Sequence, residues 1–276
     1  TSALNTARSS SLANVTYNIE DSASALAGAA AAFLSSAAAT TASGTTSSAA
    51  HLKTAITNST ASVDATATTT MTGLTADVDD VISEENASSG ITLNNNFAIS
   101  LTSGQTATKN QANTWDAANG TGVITAEISD TGMTALKALT KTGATNAYTL
   151  KPAGSVSAAD LTTISGLTSL DVNATNVTAI SGDIDGVNAV YASGDFTGLG
   201  NEPITISGTE LDAAKAVTLA GTTDQNMTAS DVTNLTGTYT ATNAVLDNAR
   251  WILDKVTSDE DAAMTVTLSG DATVTA

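Results

Sequence analysis

The stretch ISGDIDGVNAVYASGDFTG, residues 180–198, contains the same short phrase twice. In each copy an apolar segment ends at Ser-Gly, and an aspartate follows, at Asp183 and at Asp195. Glycine readily adopts the positive φ that a tight turn requires, and aspartate accepts hydrogen bonds from backbone amides beyond a turn. The phrase therefore predicts short strands separated by turns, with the aspartate serving geometry rather than chemistry.

Ser-Gly recurs at residues 165–166, 207–208 and 269–270, after LTTISG, PITISG and VTLSG. Two of the pairs are followed by Leu167 and Thr209, so the aspartate is not an obligatory ligand. The series predicts a mainly β fold with short helices, built as parallel β-solenoid-like repeats. Antiparallel β-sandwich domains are the alternative, because turn signals every 12 to 16 residues are close to sandwich spacing.

A longer repeat underlies these turns. Residues 156–165, VSAADLTTIS, match residues 227–236, MTASDVTNLT, at an offset of 71. Each copy places Ser or Thr three positions before an aspartate, Ser157 before Asp160 and Thr228 before Asp231, which is typical of the start of a short helix. The match predicts a unit of about 70 residues that alternates strands with capped helices.

The amino-acid composition of the chain changes near residue 90. Residues 1–90 are rich in Ala, Ser and Thr and predict a strand at 15–19, a helix over 23–36 and a possible docking arm at 1–19. Residues 91–276 predict a β-rich repeat domain. Within it, NAVLDNARWILDKV predicts an amphipathic helix over 243–256, with Trp251 toward the polar face.

Composition limits both the core and the partners. Leu, Ile, Val and Phe total 53 of 276 residues, so a core only one side chain deep is expected. The formal net charge of −18 and the nine scattered Lys and Arg residues argue against nucleic-acid binding. The longest apolar run, Ala25–Leu34, is too short for membrane insertion. Because there is no cysteine, disulfides and thiolate metal sites are excluded.

No residue pattern in the chain predicts catalysis. The single histidine, His51, has no partner pattern around it, and hydrolase, nucleotide and zinc motifs are missing. Asp183 and Asp185 lack the substrate-stacking aromatics that a glycosidase needs. The same aspartates look like a calcium loop, but its twelfth position is Gly194 rather than an acid. We therefore predict no enzyme activity, no catalytic, cofactor or metal residues, and at most weak, diffuse calcium binding.

Two segments, Ile19-Glu20-Asp21-Ser22 and Ile128-Ser129-Asp130-Thr131, precede Ala/Leu helices and Thr-rich strands. With the Cys-free, Lys-poor composition, they resemble the repeat regions of large secreted bacterial surface proteins, of cyanobacterial type, and S-layer proteins. The resemblance implies a structural subunit of an extracellular surface layer or filament, with identical copies as partners. The alternative is an adhesin-type module that binds glycans or surfaces. Deletion of residues 1–19 should abolish assembly and leave the remainder folded.

Overall fold

The computed structural model describes residues 16–87, 90–253 and 264–269. They form a mixed α/β structure, 32% helix and 29% strand, so the expectation of a mainly β fold is wrong. Every strand pairing found among these residues is parallel, as expected, and the antiparallel alternative is not observed. The chain divides into two compact units, residues 1–129 with 139–149 and residues 130–138 with 150–276.

The first unit alternates strands with helices along the chain. Its strands are β1 (Asn18–Ser22), β2 (Ala39–Ser43), β3 (Thr46–Ser48), β4 (Val63–Ala65), β5 (Thr70–Gly73), β6 (Ile91–Leu93), β7 (Ala98–Leu101), β8 (Thr106–Ala107), β9 (Ile124–Ile128) and β10 (Ala147–Thr149). Its helices are α1 (Ala23–Ala27), α2 (Ala31–Leu34), α3 (Ala49–Asn58), α4 (Thr75–Asn86) and α5 (Lys109–Ala118). The strands form two sheets, in the orders β1-β2-β4-β6 and β10-β9-β7-β5-β3, with β8 beside β9.

The second unit repeats this alternation. Its helices are α6 (Met133–Leu136), α7 (Ala158–Ser165), α8 (Ile184–Ala192), α9 (Ala213–Ala220) and α10 (Tyr239–Leu246). Its strands are β11 (Ala153–Ser157), β12 (Val172–Asn173), β13 (Asn176–Gly182), β14 (Phe196–Thr197), β15 (Ile204–Ile206), β16 (Glu210–Asp212), β17 (Met227–Thr228), β18 (Asn234–Gly237), β19 (Trp251–Ile252) and β20 (Thr265–Leu268). Three sheets result, in the orders β11-β13-β15-β17-β19, β12-β14 and β16-β18-β20.

A short pairing step explains the long sequence repeat. One buried column of the five-stranded sheet holds, in register, Val156, Ile180, Ile204, Met227 and Trp251. Successive members are about 24 residues apart, which is the length of one strand–strand–helix unit. The sequence match between residues 156 and 227 therefore spans three such steps, and the expected unit of about 70 residues is corrected to about 24.

The junction between a strand and the following helix has a common local design. A polar side chain caps the helix, as when Asp183 accepts a hydrogen bond from the Gly186 amide at 2.7 Å. The same role belongs to Ser22, Thr108, Ser157, Asp212 and Thr238. In the helix that follows, every third residue is buried, for example Ala158, Leu161 and Ile164 in α7. This narrow stripe fits the thin core that the composition predicts.

Ser-Gly does not mark one kind of turn, contrary to the sequence expectation. Gly166 ends α7, and Ser193 ends α8 before Gly194. Ser207-Gly208 follows a strand, and Gly208 has the positive φ of 103° that the turn hypothesis requires. Gly182 is the last residue of β13, and glycine suits this position because a Cβ there would lie only 3.1 Å from the Ala158 Cβ.

The helix expected over 243–256 is shorter than predicted. Helix α10 ends at Leu246, and Trp251 lies in strand β19, 7% exposed rather than on a polar helix face. After the helix, the Arg250 guanidinium bonds to the end of α9 and the segment that follows it: its Nη2 donates to the Ala220 carbonyl at 2.7 Å and its Nη1 to the Thr223 carbonyl. The chain then enters β19 beside β17. Residues 254–256 of the expected helix lie outside the described residues.

The N-terminal expectations are met in part. The predicted strand lies at Asn18–Ser22, and the predicted helix over 23–36 is split into α1 and α2 around Gly28. Residues 1–15, most of the expected docking arm, lie outside the described residues. Across the expected boundary near residue 90, Val63 of β4 pairs with Ile91 of β6. Among the described residues, no helix has the length and hydropathy needed to span a bilayer.

Candidate functional site

The residues considered for catalysis do not form a common site. His51 is an exposed residue of α3. Asp183 caps α8, while the Asp185 carboxylate lies 2.5 Å from the Lys215 ammonium. The two aspartates therefore have separate structural partners. The arrangement offers no opposed pair of carboxylates for acid–base chemistry.

Metal-ligating groups do not converge in the part of the chain that the structure describes. Nowhere in those residues do three or more His, Asp or Glu side chains lie close enough together to hold an ion. In the loop at 182–186, the Asp183 carboxylate accepts from the Gly186 amide and starts helix α8.

Hydroxyl side chains form two in-register columns across the parallel strands. The column of the first unit contains Ser48, Thr72, Ser100 and Thr125. The column of the second unit contains Ser157, Ser181, Thr205 and Thr228. Neighbouring parallel strands are about 4.8 Å apart, so each column is a regular row of groups that can both donate and accept hydrogen bonds.

In the first unit this row lies in a groove. A cleft of about 510 Å³ is bordered by Ser48, Thr72, Leu74, Asp77 and Ser100, among others. A second cleft of about 260 Å³ continues it over β9 and β10 and shares the lining residues Leu101 and Thr102. Together the clefts, here called the hydroxyl groove, extend over the strands β3, β5, β7, β9 and β10.

Acidic groups set the electrostatics of the hydroxyl groove. Asp77 borders the first cleft, and its side chain is 17% exposed. Its carboxylate is held 3.2 Å from the Lys53 ammonium, which also lies 2.6 Å from Asp80. Hydrogen bonds to Asp80 and Asp77 raise the pKa of Lys53. Glu127 borders the second cleft.

A buried polar network lies elsewhere in the first unit. Asp116 is 1% exposed, and its Oδ2 accepts from the Thr142 hydroxyl at 2.6 Å and amide at 2.9 Å. Its Oδ1 accepts from Asn146 Nδ2 at 2.9 Å, and Asn146 Oδ1 accepts from the Ile124 amide at 2.8 Å. Burial raises the pKa of Asp116, but hydrogen bonds from Thr142, Asn146 and Thr140 outweigh it and lower the pKa overall. The network joins α5 to β9 and to the segment before β10.

The last strands of the second unit present apolar side chains to solvent. Ile252 of β19 is 40% exposed and Val266 of β20 is 41% exposed. Tyr239 and Leu246 of α10 are 63% and 42% exposed. Four of the seven large exposed hydrophobic residues in the described ranges therefore lie in the last two strands and the last helix.

Strand β20 has an outer edge whose backbone groups pair with none of the described strands. Thr265 and Ser269 donate their amides to the Thr233 and Gly237 carbonyls at 2.8 Å each. Because hydrogen-bonding groups alternate in direction along a strand, the amides of Val266 and Leu268 point to the opposite side. None of the strands described pairs with β20 on that side.

Sequence reasoning named no site residue and missed both the hydroxyl groove and the open edge. Threonine favours exposed strand faces, but the alignment of hydroxyls from one strand to the next depends on the step of about 24 residues. The sequence match at an offset of 71 spans three of these steps and does not reveal a single one. Comparison with known proteins adds no name, since no family model, curated protein or solved structure matches the chain.

Proposed function

We propose that this chain is a structural subunit of an extracellular surface layer or filament, and that its copies associate end to end. The outer edge of β20 carries the proposal, because it pairs with none of the described strands and carries the exposed Val266 side chain. Such an edge is a template for pairing with another chain.

The first unit offers a matching edge for the partner copy. Among the described strands, β1 pairs with β2 alone and β3 pairs with β5 alone. A second copy that adds β1 or β3 beside β19 or β20 would continue the parallel pairing found throughout the described residues. Contacts of this heterologous kind generate open filaments unless the rotation from copy to copy closes a ring, and they do not generate two-fold dimers.

A solenoid-like architecture would place such edges at the two ends of a stack of repeats. We infer a solenoid-like stack in which each turn is one strand–strand–helix unit of about 24 residues. The in-register column from Val156 to Trp251 supports this inference. Terminal repeats of such stacks need a cap or a partner, since their last turn otherwise exposes apolar side chains.

Sedimentation velocity over a range of protein concentrations tests the proposal with two matched variants. The sedimentation coefficient of the unmodified chain should rise with concentration, and Val266→Lys should remain monomeric because an edge lysine opposes strand addition. The control is Val217→Lys on α9, where the valine is equally exposed at 42% but lies on a helix. An unmodified chain that stays monomeric, or a Val266→Lys chain that still associates, would contradict end-to-end association.

Deletion of residues 1–15 tests the docking arm separately, because it leaves β1 intact. The arm hypothesis expects the shortened chain to fold, by circular dichroism, and to lose association. If association is unchanged, the edges of β1 and β3 are sufficient and the arm has no role.

A further inference from the structure

The hydroxyl groove of the first unit is largely separate from the strand edges proposed for end-to-end contact. Its row of side chains, Ser48, Thr72, Ser100 and Thr125, runs across the sheet and meets a proposed edge only at Ser48 of β3. In the described residues, none of these four hydroxyls is hydrogen-bonded within the protein. They are therefore available to a ligand.

The groove is elongated in the direction of strand stacking. The first cleft borders β3, β5 and β7, and the second continues to β9 and β10. With parallel strands about 4.8 Å apart, five neighbouring strands give a length of about 20 Å. That length suits an extended chain of several monomers better than a single small molecule.

The lining defines the chemistry of that chain. Hydroxyl groups both donate and accept hydrogen bonds, so they match a ligand that carries many hydroxyls of its own. Leu74, which is 48% exposed, and Leu101 offer apolar contact beside the hydroxyl row. Asp77 and Asp80 share the single Lys53 ammonium, so this cluster beside the groove has a net negative charge that disfavours an anionic ligand at short range.

We propose that the hydroxyl groove binds a neutral oligosaccharide, whose ring hydroxyls pair with the serine and threonine row and whose C–H faces contact Leu74 and Leu101. The second unit provides a contrast within the same chain. Its hydroxyl column has the same register, but neither of the two clefts borders it. Binding is therefore expected at the hydroxyl row of the first unit, which lies in the groove, and not at the hydroxyl column of the second unit.

Isothermal titration calorimetry of the full chain with cellohexaose, maltohexaose and mannohexaose tests this proposal. At least one of these neutral hexasaccharides should bind with one site per chain. The double variant Thr72→Val/Ser100→Ala removes two hydroxyls at partly exposed positions, so it should fold and bind about tenfold more weakly. The matched control is Thr205→Val in the second unit, which should bind within about twofold of the unmodified chain.

Three results would overturn the proposal. The first is the absence of binding by all three neutral probes. The second is equal affinity of the folded double variant and the unmodified chain. The third is equal or tighter binding of the anionic hexagalacturonate, which would contradict the charge argument. Repeating the titration with Val266→Lys separates this site from association, since that variant should retain full oligosaccharide affinity.

Discussion

At the scale of single residues, Asp116 shows how a chain with few large side chains specifies a unique packing. Its buried carboxylate accepts hydrogen bonds from the amide and the hydroxyl of Thr142 and from the Asn146 side chain. Asn146 in turn accepts from the Ile124 amide in β9. The sequence does not reveal this network, because it joins residues about 30 positions apart whose types are common throughout the chain.

The Asp116 network should make the stability of the fold depend on acid pH. The folded-state pKa lies below the unfolded value, so the stabilisation is complete above about pH 4 and is lost as the pH falls toward the folded pKa. In urea unfolding, Asp116→Asn should lower the free energy of unfolding at pH 7 by about 1–3 kcal/mol and flatten its decline in acid.

Asp231→Asn is the control for this measurement, because Asp231 is exposed in the turn before β18. It should change the free energy of unfolding at pH 7 by less than about 0.5 kcal/mol. An acid profile for Asp116→Asn that parallels that of the unmodified chain would show that the network does not carry the pH dependence.

At the scale of elements, the aspartate of the phrase ISGD caps a helix. Its geometric role was predicted from the sequence, and the structure places the Asp183 carboxylate on the Gly186 amide. The helix itself was not predicted. Over eight or nine residues, a helix buried at every third position is hard to distinguish from a short strand by its sequence pattern. Threonine adds to the ambiguity, as in α7, because it is common in strands.

Asp183→Ala should lower the free energy of unfolding by about 1 kcal/mol, whereas Asp183→Asn should retain most of it, since asparagine also caps helices. Asp195→Ala, an exposed aspartate in the second copy of the phrase, serves as the control and should have an effect below about 0.5 kcal/mol. Differential scanning calorimetry with and without calcium should give the same calcium response for Asp183→Asn and for the unmodified chain. A large loss of that response would restore a metal role for the loop.

Val217 and Leu219 distinguish helix from strand at α9. In a strand, residues two apart share a face, but in this helix Val217 is 42% exposed and Leu219 is fully buried. Leu219→Ala should therefore lower the free energy of unfolding by about 2–4 kcal/mol, and Val217→Ala should change it by less than about 0.5 kcal/mol. Equal losses for both variants in chemical unfolding would indicate a strand at this position.

At the scale of the whole molecule, the parallel pairing of the strands and the thin core were predicted from the sequence. It could not set the period, because each repeat conserves only an apolar residue, a cap and a helical stripe, and these are filled by different residue types. Val156 and Met227 matched in sequence, while the two intervening members of their column, Ile180 and Ile204, occur in the Ser-Gly series, whose spacing of 12 to 16 residues conceals the step of about 24. The period became visible only in the register of the strands.

Electron microscopy of the purified chain at increasing concentration, with and without millimolar calcium, tests end-to-end association most directly. The proposed strand addition predicts filaments or sheets of regular width in both conditions, because the Asp183 and Asp185 carboxylates are already engaged by the Gly186 amide and by Lys215. Dispersed monomers at every concentration in both conditions would contradict the structural role and would favour the binding module as the function of this chain.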